Sequence, residues 1–402
     1  VILHSDINSC YASVEKLYDG RLGGKPFAVC GSRELRHGII LAKDEMAKAA
    51  GVKTGMAIWQ ARQLCPELRI VEPHFDRYAK YSEMVREIYA EYTDLCEPFG
   101  IDESWLDITN CLACPDPRRT ADEIRRRVKN ETGLTVSVGV SWNKVLAKLG
   151  SDYKKPDAVT VIDREHFRSM VWGLPASDML MVGRSTRLEL ARMGIQTIGE
   201  LARTDPELLR LRFGKGGTVL WRYANGLDDS RVRRAGEEEP PQSVGNSVTL
   251  ARNIETERQA RETLLMLAES VSARLRRQKL RCRTVEVALR SEELKWTTHR
   301  MRLRYATDVT VYLAAFGLEL VRQSHDFSSP LHSIGLRALE LVHADEDEQI
   351  DIFIDYVNLN KQRSIDAAVD GIRAKYGAES IQRACLLGDP AAANLAFCSL
   401  PD

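Results

Sequence analysis

No run of eighteen uninterrupted apolar residues occurs in this chain of 402 residues, so a membrane-spanning helix is not expected. A basic leader is absent as well. The chain opens on an apolar strand running into an acidic position, which gives no sign of a secretory signal and points to a cytoplasmic location. Cysteines are few, scattered and odd in number: the nine at 10, 30, 65, 96, 111, 114, 282, 385 and 398 do not make a disulfide framework. Cys111 and Cys114 form a lone C-x-x-C with no second pair to complete a zinc site, and reduced thiols are expected there. Internal repeats and low-complexity tracts are missing too. Net charge is zero, so no global basic excess advertises a polyanionic partner.

What is present is a soluble composition, 44% apolar and 28% charged, in a chain long enough for two to four domains. Local counting finds charge that the total hides. Residues 241 to 342 hold sixteen Lys and Arg against eleven Asp and Glu, with Arg274, Arg276, Arg277, Lys279, Arg281 and Arg283 in one stretch. A solvated helix face would account for part of this, but a basic separate module is also the footprint of phosphate binding.

Two acidic signatures carry the chemistry. Asp6 follows Val1-Ile2-Leu3-His4, and Asp102-Glu103 sits in Phe99-Gly100-Ile101-Asp102-Glu103-Ser104-Trp105-Leu106-Asp107. Each follows a short apolar run that reads as a strand end, so folding can place three carboxylates on one sheet edge. A lone Asp-Glu pair in a turn is ordinarily a solvated surface feature. Three carboxylates together repel unless cations sit among them, and such oxygen ligands suit Mg²⁺ in a two-metal phosphoryl-transfer site.

Three longer motifs occur in order: Asp6-Ile7-Asn8-Ser9-Cys10-Tyr11-Ala12-Ser13-Val14-Glu15, Ile101 to Asp107, and Ser137-Val138-Gly139-Val140-Ser141-Trp142-Asn143-Lys144-Val145-Leu146-Ala147-Lys148. Together they closely resemble the palm motifs of Y-family translesion DNA polymerases, and the resemblance extends over nearly the whole chain. It implies an α+β multidomain right hand with palm, fingers, helical thumb and a β-α-β-β-α-β little finger. The expected boundaries are palm 1–17 and 74–164, fingers 18–73, thumb 165–230, linker 231–241, little finger 242–342, and a C-terminal tail 343–402.

By that resemblance Asp6, Asp102 and Glu103 hold two Mg²⁺ ions with the backbone carbonyl of Ile7, while Asp107 lies outside the triad and anchors the hairpin. Tyr11 occupies the steric-gate position against a ribose 2′-hydroxyl. Ser9 and Cys10 form the pocket floor. Lys155, in Asp152-Tyr153-Lys154-Lys155-Pro156, stands at the triphosphate-binding position, with Lys144 and Lys148 one helical turn apart near the same site. The fingers depart from the common Tyr-x-Ala-Arg: Glu45-Met46-Ala47-Lys48 keeps a cation but not the planar fork. Lys48 is then a point-charge contact, and Glu45 leaves the second contact in doubt. Ile39 and Leu41 roof the nascent base pair.

In the thumb, Met181-Val182-Gly183-Arg184 resembles a helix-hairpin-helix turn with Met181 where the family often has Gly. Gly214-Lys215-Gly216-Gly217-Thr218 lacks the first Gly and the strand of a phosphate loop and is set aside. Past the little finger, Gln349, Ile352 and Phe353 in an acidic segment resemble a bacterial sliding-clamp-binding peptide.

The function implied is template-directed dNTP addition to a primer 3′-hydroxyl, without proofreading, by a monomer whose partners are primer-template DNA, dNTP and the clamp. A catalytically silent DNA-damage scaffold of the same family is the alternative, which intact acidic positions disfavour. A palm-type nucleotidyl cyclase would have no use for the thumb and little finger.

Overall fold

A computed structural model describes residues 1–31, 38–111, 114, 116–237, 239–346 and 355–386. The chain divides into two compact units at residues 238/239, inside the charged, proline-ended segment expected as a linker. The α+β class is as expected.

The first unit is built on a five-stranded sheet ordered Cys96–Pro98, Glu103–Asp107, Ile2–Ile7, Val136–Ser141, Val159–Val161. Ile2–Ile7 is central and antiparallel to both neighbours, pairing Leu3 with Leu106 and Val140. Its apolar residues, with Val136, Val138 and Val140, meet the helices Phe75–Ala90 and Pro117–Thr132 in a core that includes Tyr78, Val85, Ile88, Ile124 and Val128. Asp116 caps the second of these helices with Pro117 at its first position, and Gly133 closes it at φ 76°, the usual start and stop signals.

A smaller sheet ordered Ile40–Lys43, Phe27–Cys30, Arg69–Val71 carries the helices Glu45–Ala49 and Ile58–Leu64 over its own core of Ala28, Ile40, Ala47, Ile58 and Leu68. Residues 167–224 form short helices around Val171, Leu190, Ile198, Leu201, Leu209 and Leu220. Met181 keeps a left-handed backbone at φ 71°, so the turn retains the conformation that a glycine there would adopt freely. Lys215 opens the helix Lys215–Ala224, and Gly217 packs so closely that an added Cβ would lie 2.1 Å from the Leu209 carbonyl oxygen. That segment is packing, not a phosphate loop.

The second unit has the element order strand, helix, strand, strand, helix, strand, with the sheet Trp296–Thr307, Leu280–Ser291, Leu331–His343, Ser243–Ile254. Leu264, Leu267, Val271 and Leu275 of the helix Glu257–Arg277 and Leu313 and Val321 of Thr310–Ser324 cover one sheet face. This matches the β-α-β-β-α-β expectation.

Two expectations are corrected. The C-terminal segment is not all tail: Tyr356–Tyr376 is a helix with only Leu359 and Asp366 buried, fastened by charge. Arg276 pairs with Asp366 at 3.2 Å and Asp370 at 2.6 Å, and Arg373 with Glu269 at 2.8 Å. Arg276, one of the basic stretch weighed between a solvated face and a phosphate footprint, is thus engaged in holding a helix. Cys111 and Cys114 form a disulfide rather than reduced thiols, because a tight turn, Cys114 N–H to Cys111 carbonyl at 3.0 Å, brings their Cα atoms to 5.2 Å. Gln349, Ile352 and Phe353 lie outside the described residues.

One contact sets the position of the helix Lys144–Tyr153 on the large sheet. A Cβ on Gly139 would lie 1.9 Å from the Ala147 carbonyl oxygen and 2.4 Å from the Ser151 nitrogen, backbone atoms that cannot step aside. Gly139→Ala is expected to destabilise the first unit by about 3 kcal/mol, the upper end for overpacking, lowering its Tm by about 6 °C or more. Gly173→Ala, where a Cβ meets open space, serves as control. Equal thermal melts for the two variants would refute the packing argument.

Candidate active site

Asp6, next to the end of the central strand, pairs in register with Glu103, so two carboxylates are placed on adjacent strands by the ladder itself. Asp102 is the residue before Glu103. Gly100, at φ 100°, makes the turn that precedes it, and Phe99 N–H donates to the Glu103 carbonyl at 2.8 Å. The Ile7 amide donates to the Asp102 carbonyl at 2.8 Å, tying the hairpin to the end of the central strand.

Each carboxylate has a different environment. Burial raises the pKa of Asp6, and the charges of Glu103 and Asp102 add to this, against the opposing effect of Lys155 at 2.9 Å. Burial and the adjacent Glu103 likewise raise Asp102, which makes no ion pair among the described residues. Burial opposes ionisation of Glu103 too, but His4 and Lys148 outweigh it and hold that carboxyl below the usual range. Lys148 Nζ lies against Glu103 Oε2, and His4 Nε2 is 3.3 Å from the same oxygen. The His4 ring is fully buried, which lowers its pKa, and its Nδ1 is 2.8 Å from Ser151 Oγ.

The three acids are therefore electrostatic neighbours, yet they are spread between lysines. Among the described residues no three of His, Cys, Asp and Glu stand close enough to hold one metal ion together. The donor set nevertheless fits a divalent cation: it is all hard oxygen, and the half-buried Asp102 carboxylate makes no ion pair among the described residues.

The lysines divide differently from expectation. Lys148 joins the site, whereas Lys144 turns to buried Glu97 at 2.7 Å and stacks 4.3 Å over the Trp105 ring. Glu97 also receives Arg233 at 2.8 Å, so Lys144 serves a structural knot. Asp107 accepts from the Thr109 amide at 2.9 Å in a turn just past the strand, outside the acidic group.

A cleft of about 380 Å³ opens beside the acids, lined by Asp6 to Tyr11, Leu41 to Lys43, Glu45, Lys48, Thr54, Ile101, Asp102 and Lys155. It gathers most of the expected site residues. Ile39 is half exposed and bridged to Ala57 at the start of the next helix. The Tyr11 ring stacks on Tyr78 with centroids 4.2 Å apart and planes 9° apart, while Phe75 meets it edge-on at 5.9 Å. Tyr78 is in turn fixed by a 2.6 Å bond to buried Glu15, which also takes Arg77 at 3.1 Å. Burial pushes the Cys10 thiol well up, so it is protonated and inert. Ser9 sits at φ 49°, a left-handed position that a non-glycine residue occupies at a cost, and its hydroxyl donates to Glu45 at 3.2 Å.

Asn8 escaped the sequence reading. Its side chain donates to Ser137 Oγ at 2.8 Å and accepts the Asp157 amide at 2.9 Å, joining the central strand to the loop that carries Lys155. Lys43 was overlooked too. Asn8 sits inside the first long motif and Lys43 just before Glu45-Met46-Ala47-Lys48, where better-marked neighbours draw the eye.

The comparisons with known proteins agree with one another. Residues 5–152 match the impB/mucB/samB family and residues 241–352 the C-terminal domain of that family. The chain is 44% identical over 390 residues to DNA polymerase IV of Acetivibrio thermocellus, covering 97% of this chain and 98% of the relative. It is 36% identical over 393 residues to DNA polymerase IV 1 of Bacillus subtilis, covering 96% and 93%. A solved Y-family DNA polymerase chimera shares the fold with a TM-score of 0.75 at 21% identity, covering 85% of this chain and 99% of that one.

Proposed function

The chain belongs to the impB/mucB/samB family and is a Y-family DNA polymerase of translesion synthesis, and from that premise we propose that Asp6, Asp102 and Glu103 are its catalytic carboxylates. The observation that carries this reading is the meeting of three acids at one strand edge: Asp6 pairs in register with Glu103, each faces a lysine, and half-buried Asp102 beside them makes no ion pair among the described residues. A silent scaffold has no physical need to gather three mutually repelling acids there.

Two Mg²⁺ ions, held by Asp6, Asp102, Glu103 and the Ile7 carbonyl, would acidify the primer 3′-hydroxyl and neutralise the triphosphate. The chain's own residues do the rest. Lys155 and Lys48 attract the triphosphate, with Lys155 exchanging its bond to Asp6 for one to phosphate. Tyr11, stacked and braced from behind, is a wall under the incoming sugar. Ser9 and Cys10 floor the pocket, and Ile39 and Leu41 lie over the nascent pair. We read the large sheet with residues 1–17 and 74–164 as palm, 18–73 as fingers, 165–230 as thumb and 242–342 as little finger. Gln349, Ile352 and Phe353 form the proposed clamp-binding peptide.

Three experiments test these roles. Asp102→Ala with Glu103→Ala is expected to abolish primer extension while leaving primer-template affinity within about tenfold, since distributed phosphate contacts dominate binding. Extension by that double variant would remove the acids from catalysis. Tyr11→Ala should admit rNTPs, read as a fall in the ratio of dNTP to rNTP incorporation; an unchanged ratio takes the gate away from Tyr11. Changing Gln349, Ile352 and Phe353 together to Ala should leave extension of a short oligonucleotide intact but lower clamp affinity at least ~100-fold, the loss of two apolar anchors. Clamp stimulation on primed circular DNA that survives the triple change places recruitment elsewhere.

A further inference from the structure

Three lysines line the cleft, and two of them already face carboxylates: Lys155 is 2.9 Å from Asp6 and 2.8 Å from Asp152, and Lys48 is 3.5 Å from Glu45. Lys43 is different. It makes no ion pair among the described residues, and its Nζ donates to Thr54 Oγ1 at 3.0 Å. It is also partly buried, and burial with the charges of Lys48 and Lys155 lowers its pKa despite the opposing pull of Glu45. A desolvated ammonium in a cluster of like charges is unfavourable unless an anion answers it.

The backbone at this position is fixed on both sides. Lys43 ends the strand Ile40–Lys43 opposite Ala28. The next residue, Asp44, caps the following helix through the Ala47 amide at 2.9 Å and accepts the Phe27 amide at 3.1 Å. Thr54 then holds the tip of the Lys43 side chain. This is a cation placed with both ends tied, at less entropic cost on meeting a ligand than a free surface lysine.

Glu45 makes such a cation necessary. It accepts from Ser9 and faces Lys48, so it withdraws part of the positive charge that this side of the cleft would offer to phosphate. We propose that Lys43 is a triphosphate-binding residue of the polymerase, supplying the fingers-side charge that Glu45 cancels. The inference rests on the polymerase reading above.

Steady-state insertion of a single dNTP by Lys43→Met is the test. KM for dNTP should rise about tenfold, the scale of one charge-assisted contact, with kcat and primer-template Kd within about twofold. Calorimetric affinity for inorganic tripolyphosphate should fall in parallel, and Lys43→Arg should restore both. A structural role would instead lower Tm and depress kcat with KM unmoved. Lys43→Gln, which keeps a polar donor without the charge, replaces the Met variant if that one does not fold. Unchanged KM and tripolyphosphate affinity in a folded variant would overturn the proposal. Wild-type protein that binds tripolyphosphate through Lys43 yet extends no primer would sink the polymerase reading alone.

Discussion

The antiparallel pairing of Ile2–Ile7 with Glu103–Asp107 is the constraint from which the site follows. Its register sets Asp6 opposite Glu103, and like charges directly opposed weaken a sheet by roughly 0.2–1 kcal/mol. The cost is met locally. Helix Lys144–Tyr153 lies on the sheet because Gly139 has no side chain, and that approach delivers Lys148 to Glu103 and Ser151 to His4. Lys155, just beyond the helix, reaches Asp6. Packing and electrostatics are therefore one arrangement: moving the helix outward would separate the lysines from the acids they offset.

A second tier holds the cleft in shape without facing its contents. Asn8 fastens the central strand to the loop of Lys155, and Ser9 in its left-handed conformation starts the helix that carries Tyr11. Behind Tyr11, Tyr78 and Arg77 converge on buried Glu15. The Tyr11 wall of the cleft is thus supported by a hydrogen-bonded network that an isolated stacked ring would lack.

Much of this was legible in the sequence, for identifiable reasons. Asp6, Asp102 and Tyr11 stand out by residue type within their motifs, and the fold brings all three to one cleft, with Glu103 paired to Asp6 beside it. In the second unit the β-α-β-β-α-β order expected is the order observed, because residues that alternate along a strand or recur at helical period are the ones that meet in its core. Lys144 and Lys148 could not be separated by spacing alone. One turn apart on a helix, they meet different acids because Glu97 and Glu103 lie on different strands.

The helix Tyr356–Tyr376 shows where pattern reading stops. An amphipathic helix announces itself by an apolar stripe, but this one buries only Leu359 among its apolar residues and is held by Asp366, Asp370, Arg363 and Arg373 against Arg276, Asp308 and Glu269. Charged residues at helical spacing read as solvated surface. The shared partner of Asp366 and Asp370, Arg276, lies 90 and 94 residues away, in a stretch whose basic letters look like a phosphate footprint. The same letters can therefore face nucleic acid or another part of the chain, and only the fold decides between them. Arg276 goes to Asp366 because the sheet's helices present it there, and the basic count of the module overstates the charge left for phosphate by the residues so engaged.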